Sequence, residues 1–398
     1  MEHRLEAAVI GGGPAGLTAA IALSAGGIAT ALIAKAPPAD NRTTALLSGS
    51  VAALEALEVW PRARAEAAAL TAIRLIDDTR RLIRAPEVLF EAGEIGLAAF
   101  GYNIENRHLV HALDARAAAL PNLRRIDAMA GRIEPAADRV AIRLDDDSTL
   151  TARLVIGADG RKSLCRAAAG IATDRHEYPQ TALTLNFAHT RPHEGVSTEF
   201  HTESGPFTLV PLPGNRASLV CVVAPDQADD LKPLDKAALS EEVERRSHSI
   251  LGKVTVEDGR GLFPLGIETA RAFARERIAL VGEAAHVIPP IGAQGLNLGL
   301  RDVATIAELA VAAHRDGADI GAPELLARYD RSRRADTTGR TVAVDMLNRS
   351  LLSDFLPVQG ARGLGLYALS RIAPLRRALM REGVEPAAQP RLMRGEML

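Results

Sequence analysis

The feature that most constrains this chain is its opening. An apolar run ending in Val9-Ile10 meets Gly11-Gly12-Gly13-Pro14-Ala15-Gly16, and a second apolar stretch follows to Ala25. Ala7 to Ile10 reads as a strand, about Ala15 to Ala25 as a helix, Gly26-Gly27 as its stop, and Ile28 to Ala34 as a second strand. That is half of a parallel βαβ unit. Gly11, Gly13 and Gly16 stand at G-x-G-x-x-G spacing directly after a strand and opening a helix, the context that gives this spacing its meaning. The first glycine permits a tight turn, the second lets backbone approach a pyrophosphate, and the third lets helix and strand pack closely. Amides at the helix start, aided by the helix dipole, stabilise a diphosphate. A carboxylate for the ribose is expected about 20 residues on. The second strand instead ends Ala31-Leu32-Ile33-Ala34-Lys35, so either main chain and water hold that ribose or Lys35 makes a different nucleotide contact.

Alone, this unit fits any dinucleotide enzyme. The 398 residues suffice for two sizeable cores, and with 47% hydrophobic but only 3% aromatic residues those cores rest on Ala, Leu, Val and Ile. A net charge of −2 with dispersed arginines gives no general attraction to phosphate backbones, which argues against nucleic acid as a partner. Cys165 and Cys221 form neither a C-x-x-C pair nor a zinc-spaced cluster, and a reducing compartment fits them. The N-terminus lacks a signal-peptide plan, and no charge-free apolar run reaches about 18 residues. The expectation is a cytoplasmic protein, or one peripheral to a membrane.

Further along, Thr43 to Leu57 has helical spacing, and Ala72 to Ile76 with Leu82-Ile83 reads as a strand pair. His108 to Leu120 is a predicted helix. Strands flank the acidic turn Asp145-Asp146-Asp147-Ser148, and Leu154 to Ala158 is apolar throughout, as a strand buried on both faces is. Between about Tyr178 and Leu265 the texture alternates: strands are predicted at Thr181 to His189, Val196 to His201, Phe207 to Leu212 and Ala217 to Val223, broken by a helix over about Pro233 to Ser247. This is the pattern of a mostly antiparallel domain inserted into the first. After it come a buried strand at Ile278 to Val281, a Gly-rich loop, a helix from about Gly292 to Arg315, and a helical remainder in which Leu364 to Met380 is kinked at Pro374.

Two more motifs carry chemistry. Asp159-Gly160 follows the buried strand, where a carboxylate can bond a polyol hydroxyl at the sheet edge or cap a helix beginning near Ser163. Then Gly282-Glu283-Ala284-Ala285-His286 leads to Pro289-Pro290-Ile291-Gly292-Ala293-Gln294-Gly295-Leu296-Asn297-Leu298-Gly299. There a strand delivers Glu283 to the sheet edge, and the glycine loop opens a helix whose first amides can stabilise negative charge on a bound group. His286 reads as structural, since no His or Cys stands nearby at metal spacing.

These segments, in this order, resemble the flavoprotein monooxygenases of the para-hydroxybenzoate hydroxylase type, and within them the ubiquinone-biosynthesis hydroxylases. The likeness rests also on Asp40-Asn41-Arg42-Thr43-Thr44-Ala45-Leu46, Tyr102 to Leu109, Gly205 to Pro213 and the Gly299-Leu300-Arg301-Asp302 ending. It implies an α/β fold: a Rossmann-like, discontinuous FAD-binding domain (1–71, 96–177 and 266–322), an inserted, mostly antiparallel β substrate domain (72–95 and 178–265), and a helical C-terminal region (323–398). Beyond Gly11, Gly13, Ala15, Gly16 and Lys35, it places Arg42 and Asn106 or Arg107 on the flavin nucleotide. Asp159 with Gly160 would serve dinucleotide and nicotinamide binding, and Glu283 would stand near the ribityl chain. The Pro290 carbonyl would polarise substrate or hydroperoxide, while Gly292, Ala293, Gly295, Leu296 and Asn297 would support the anionic flavin edge. The chain departs from the family at Ala34 (usually Glu), at Glu283 (usually Asp) and at Cys221 (often Trp).

The implied reaction is reduction of FAD by NADPH or NADH, formation of a C4a-hydroperoxyflavin with molecular oxygen, and transfer of one oxygen to a polyprenylated phenol. Partners implied besides substrate and oxygen are a ubiquinone-biosynthesis assembly and the cytoplasmic face of an inner membrane, for which the tail carries Leu366, Leu369, Ile372 and Leu379 beside Arg371, Arg376, Arg377 and Arg381. The rival readings are a hydroxylase of a soluble aromatic compound, a flavin-dependent prenyl-chain reductase, and a non-catalytic flavin-binding partner.

Overall fold

The computed structural model describes residues 3–36, 40–81, 84–352, 356–384, 386 and 388–398. In its eight-stranded sheet His3–Ile10 lies between Thr30–Ile33 and Thr149–Gly157, parallel to both. Leu123–Ile126 extends one side and Ile278–Leu280 the other, again in parallel. Ala7 to Ile10, Thr30 to Ile33 and Leu154 to Gly157 are buried almost throughout, so their side chains are covered on both faces. Pro14–Ala25 packs beneath Gln294–Arg315 and beside Asn106–Ala118, forming one core with the sheet. The register decides where a ligand can sit: Ile10 is level with Ile33 and Gly157, and Gly157 with Leu280. All four strands therefore stop on one line, and their loops leave from one edge, the usual ligand edge of such sheets.

A nine-stranded sheet stands apart from the first and is antiparallel except where Val196–Thr202 runs parallel to Ala72–Asp77. One face is covered by the helices Pro225–Leu231 and Lys236–Arg246 over Leu183, Leu185, Phe187, Phe200, Phe207, Leu209, Leu219 and Cys221. A small sheet of Thr43–Leu47, Gly101–Glu105 and Ala67–Leu70 joins the two large ones. Beyond them run the helices Pro323–Leu352, Leu356–Arg371 and Ala373–Val384. Leu366, Leu369 and Met380 of this tail pack on Val88, Phe90 and Phe100. Among the described residues, no helix is long and apolar enough to cross a membrane.

Several local expectations change. Thr43–Leu47 is a strand, and the helix begins only at Ser48. Gly101 opposite it approaches so closely that a Cβ there would stand 1.9 Å from the Leu46 carbonyl oxygen. Ala72–Asp77 pairs with Val88–Glu91; Leu82 and Ile83 lie outside the described residues. The helix expected over 233–247 runs Lys236–Arg246, where Asp235 caps it by accepting the Ala238 amide at 2.8 Å, and a short helix not expected from the sequence, Pro225–Leu231, precedes it. In the tail the break falls at Ile372, and Pro374 occupies the first turn of the next helix, where its missing N–H costs nothing.

Candidate active site

The three glycine-bearing motifs meet at the sheet edge, and close packing shows how. Gly11 adopts φ +118°, and a Cβ on it would stand 2.2 Å from the Ala158 carbonyl oxygen, so the first loop lies against the segment carrying Asp159. A Cβ on Gly16 would stand 2.0 Å from the Gly11 oxygen. The third motif closes on the first: a Cβ on Gly282 would lie 3.3 Å from the Ala15 Cβ, and one on Gly299 3.1 Å from the Gly282 Cα. Gly13, Gly160 and Gly295 are different, with nothing within 4 Å of where a Cβ would stand. Tight glycines thus hold the loops together while open ones face a free space, an arrangement that fits an extended dinucleotide. Ala34 stands beside this loop, 2.8 Å from the position a Gly12 Cβ would take.

The other expected contacts divide. Arg42 Nε and Nη2 both donate to Asp40 at 2.9 Å, and Asn106 donates to the same carboxylate at 2.8 Å while accepting from Thr44 Oγ1 at 2.6 Å. Burial works against ionisation of Asp40, yet these bonds outweigh it and hold the carboxyl below its usual range. Arg107 turns the other way and pairs with the buried Glu105. Lys35 is exposed and bridges to Asp145 at 2.5 Å. Asp159 accepts from Ser163 Oγ at 2.5 Å and from the Cys165 amide at 3.0 Å, so its carboxylate stitches down the start of the helix Leu164–Ala168. Glu283 is exposed beside Arg161, with a loose pair at 3.3 Å. Pro290, Gly292 and Gly295 are exposed, Ala293 and Leu296 half-buried. Ala293 sits in the left-handed region at φ 56°, turning the chain into the helix Gln294–Arg315. Asn297 is buried and ties that helix to the small sheet, accepting from the Leu47 amide at 2.9 Å and donating to the Ala45 carbonyl at 2.8 Å.

Sequence reasoning missed the cluster behind the loop. Asp302, wholly buried, accepts from the Gly282 amide at 3.0 Å, His286 Nε2 at 2.6 Å and Arg333 Nε at 2.7 Å. Burial alone would raise this carboxyl, but the charges of His286 and Arg333 outweigh it and hold it low. Asp336 extends the cluster to Arg301, Arg333 and Arg340. The signal was present: Arg301-Asp302 interrupts an apolar helical stretch, where unpaired charges are not tolerated. His286 is structural, as its sequence context suggested.

Comparison with known proteins agrees with this geometry. The family described as FAD binding domain matches residues 4–342. The ubiquinone hydroxylase UbiL of Rhodospirillum rubrum is 37% identical over 97% of this chain and 92% of its own length. The 3-demethoxyubiquinol 3-hydroxylase of Escherichia coli is 32% identical over 94% of this chain and 97% of its own length. In fold, the p-nitrophenol 4-monooxygenase PnpA of Pseudomonas putida superimposes with a TM-score of 0.79 at 20% identity, over 98% of this chain and 100% of that one. The chain therefore belongs to the FAD-dependent monooxygenase family that includes the ubiquinone hydroxylases.

Proposed function

We propose that this monooxygenase hydroxylates the aromatic ring of a polyprenylated phenol on the route to ubiquinone, with NADPH or NADH as reductant. The supporting observation is the face of the nine-stranded sheet opposite its helix-covered side. Val210 opposes Ser218, Thr208 opposes Val220, and Ala182 opposes Val222, so these side chains share one surface. It adjoins the flavin site, because Ser218 Oγ bonds Thr43 Oγ1 at 3.0 Å and Asn297 ties the same Thr43–Leu47 strand to the loop. An apolar wall beside the flavin suits a prenylated ring. A charged soluble aromatic would need a free cation there, whereas Arg216 at the end of this face is held by Glu105 and Glu257 at 2.6 Å each. Bound FAD supplies the redox chemistry, taking hydride from the nicotinamide and activating oxygen.

In this reading residues 1–71, 96–177 and 266–322 bind FAD, and 72–95 with 178–265 bind substrate. Gly13 and Ala15 hold the pyrophosphate on a loop that Gly11 and Gly16 keep tightly packed, Arg42 and Asn106 the nucleotide, Glu283 the ribityl chain, and 292–297 with the Pro290 carbonyl the reacting edge. The direct test is oxygen uptake with NADPH and purified holoenzyme. A prenylated phenol should raise both NADPH oxidation and oxygen consumption and yield a catechol-type product. Flavin reduction with no oxygenated product overturns the reading in favour of a reductase, and a flavin that NADPH and NADH never reduce overturns it in favour of a binding partner.

We further propose that the tail rests on an anionic membrane surface, from which such a substrate is drawn. Leu364, Tyr367, Ile372, Leu375 and Leu379 are each about half exposed or more, between 48% and 70%. Arg371, Arg377 and Arg381 stand exposed among them. Apolar side chains inserting between headgroups and cations meeting lipid phosphate act together on such a face. The holoenzyme is expected to float with vesicles containing phosphatidylglycerol, to stay behind with purely phosphatidylcholine vesicles, and to lose flotation when Leu375 and Leu379 are both changed to Asp. Equal flotation with both lipids overturns the electrostatic part.

A further inference from the structure

Among the polar side chains on this wall, three form a cluster of their own: Glu199, His201 and Thr208. Glu199 lies opposite Thr208 where Val196–Thr202 pairs with Gly205–Leu212, and His201, two residues on, shares its face. His201 Nε2 is 2.9 Å from Glu199 Oε1, and Thr208 Oγ1 donates to Glu199 Oε2 at 3.2 Å. His201 is only 3% exposed, and the Glu199 side chain 16%. With a carboxylate oxygen as partner, His201 Nε2 carries the hydrogen and donates. The neighbouring carboxylate, Asp77, level with His201 on the next strand, is occupied by Thr79 and the Ala85 amide.

A largely buried carboxylate on an apolar face is expensive, and a neutral pair would join these strands at lower cost. Glu199 is also incompletely used: a carboxylate offers about four lone-pair sites, and His201 and Thr208 take one each. Glu199 shares the Thr208–Val220 row of this face, one step along from Ser218, which touches Thr43. Two strand spacings and one two-residue step put Glu199 on the order of 10 Å from Ser218, a distance that a substituted ring lying on the wall spans.

We propose that Glu199, oriented by His201 and Thr208, accepts the hydrogen bond and then the proton of the substrate's phenolic hydroxyl. The O–H bond breaks, its electron pair stays on oxygen, and the proton passes to the Glu199 carboxylate. The resulting phenolate ring is more electron-rich and so a better acceptor of the oxygen atom. The proton returns when the product leaves. This deepens the phenol-hydroxylase reading above and rests on it.

The test uses holoenzyme and 2-geranylphenol. Glu199→Gln should bind it within about threefold of the wild-type affinity, because removing a proton acceptor need not remove uniform binding. Its kcat should fall about 100-fold, the usual scale for loss of a general base, and Glu199→Asp should restore part of it. The kcat of Glu199→Gln should then rise as the pH approaches the ionisation of the phenol itself, where substrate arrives already deprotonated, while wild type stays level over the same range. Unchanged flavin content shows that the variant is folded. A Glu199→Gln enzyme that keeps its kcat, or that loses it equally at every pH, overturns the proposal. If wild type yields no hydroxylated product from 2-geranylphenol, the prenylphenol reading falls, and the same pair of pH profiles with an unprenylated phenol decides on Glu199.

Discussion

Gly13→Ala is expected to purify folded and colourless. Gly13 has φ −74° and ψ 175°, an ordinary extended conformation that alanine adopts without strain. Its new methyl would meet no protein atom within 4 Å. The apo-protein should therefore melt close to apo wild type. The methyl nevertheless enters the space where the backbone must approach the pyrophosphate, so FAD should bind at least about 100-fold more weakly, or ~2.7 kcal/mol. Gly16→Ala provides the contrast. Its methyl would stand 2.0 Å from the Gly11 carbonyl oxygen, and neither the strand nor the helix can move away without opening the core. That variant should melt well below wild type even without flavin. Flavin absorbance per protein and thermal melting of both apo-proteins separate the two roles. A Gly13→Ala protein with full flavin content would remove Gly13 from the cofactor site.

The glycine loop was legible because its constraints are local: a left-handed Gly11, a close Gly16 and an open Gly13 lie within six residues. The inserted antiparallel sheet was legible for the same reason, through its alternation. What escaped depends on partners far along the chain. Thr43–Leu47 has helical spacing in the sequence but is drawn into a strand by Gly101–Glu105, more than fifty residues later. Asp159 reads equally as ligand group or helix cap, and its carboxylate caps within the protein. Glu199-x-His201 looks like the solvent face of an alternating strand. Only the tertiary fold shows that His201 is buried. The difference between a tail kinked at Pro374 and one broken at Ile372 is two residues, within the range over which a proline's influence on the preceding turn is felt.

Asp302→Ala is expected to cost about 3–5 kcal/mol, the usual result of removing one partner from a buried ion pair. Arg333 is only 2% exposed and would be left with Asp336 alone, while the Gly282 amide and His286 Nε2 would each lose their acceptor. Against a total stability of roughly 5–15 kcal/mol that is a large share, readable as a lower denaturation midpoint. The pH dependence has a definite sign. The folded Asp302 carboxyl is held below its unfolded value of about 3.9. Its contribution is therefore complete above about pH 4 and is lost as pH falls from there toward the native value. As the pH falls below about 4, the stability gap between wild type and Asp302→Ala should narrow. A gap that widens below that pH, or a variant as stable as wild type, would contradict the charge assignment. Because the same carboxylate holds the Gly282 amide at 3.0 Å, its loss also frees the segment that carries Glu283 to the sheet edge. Flavin content should thus fall together with stability, even though Asp302 itself is sealed from solvent.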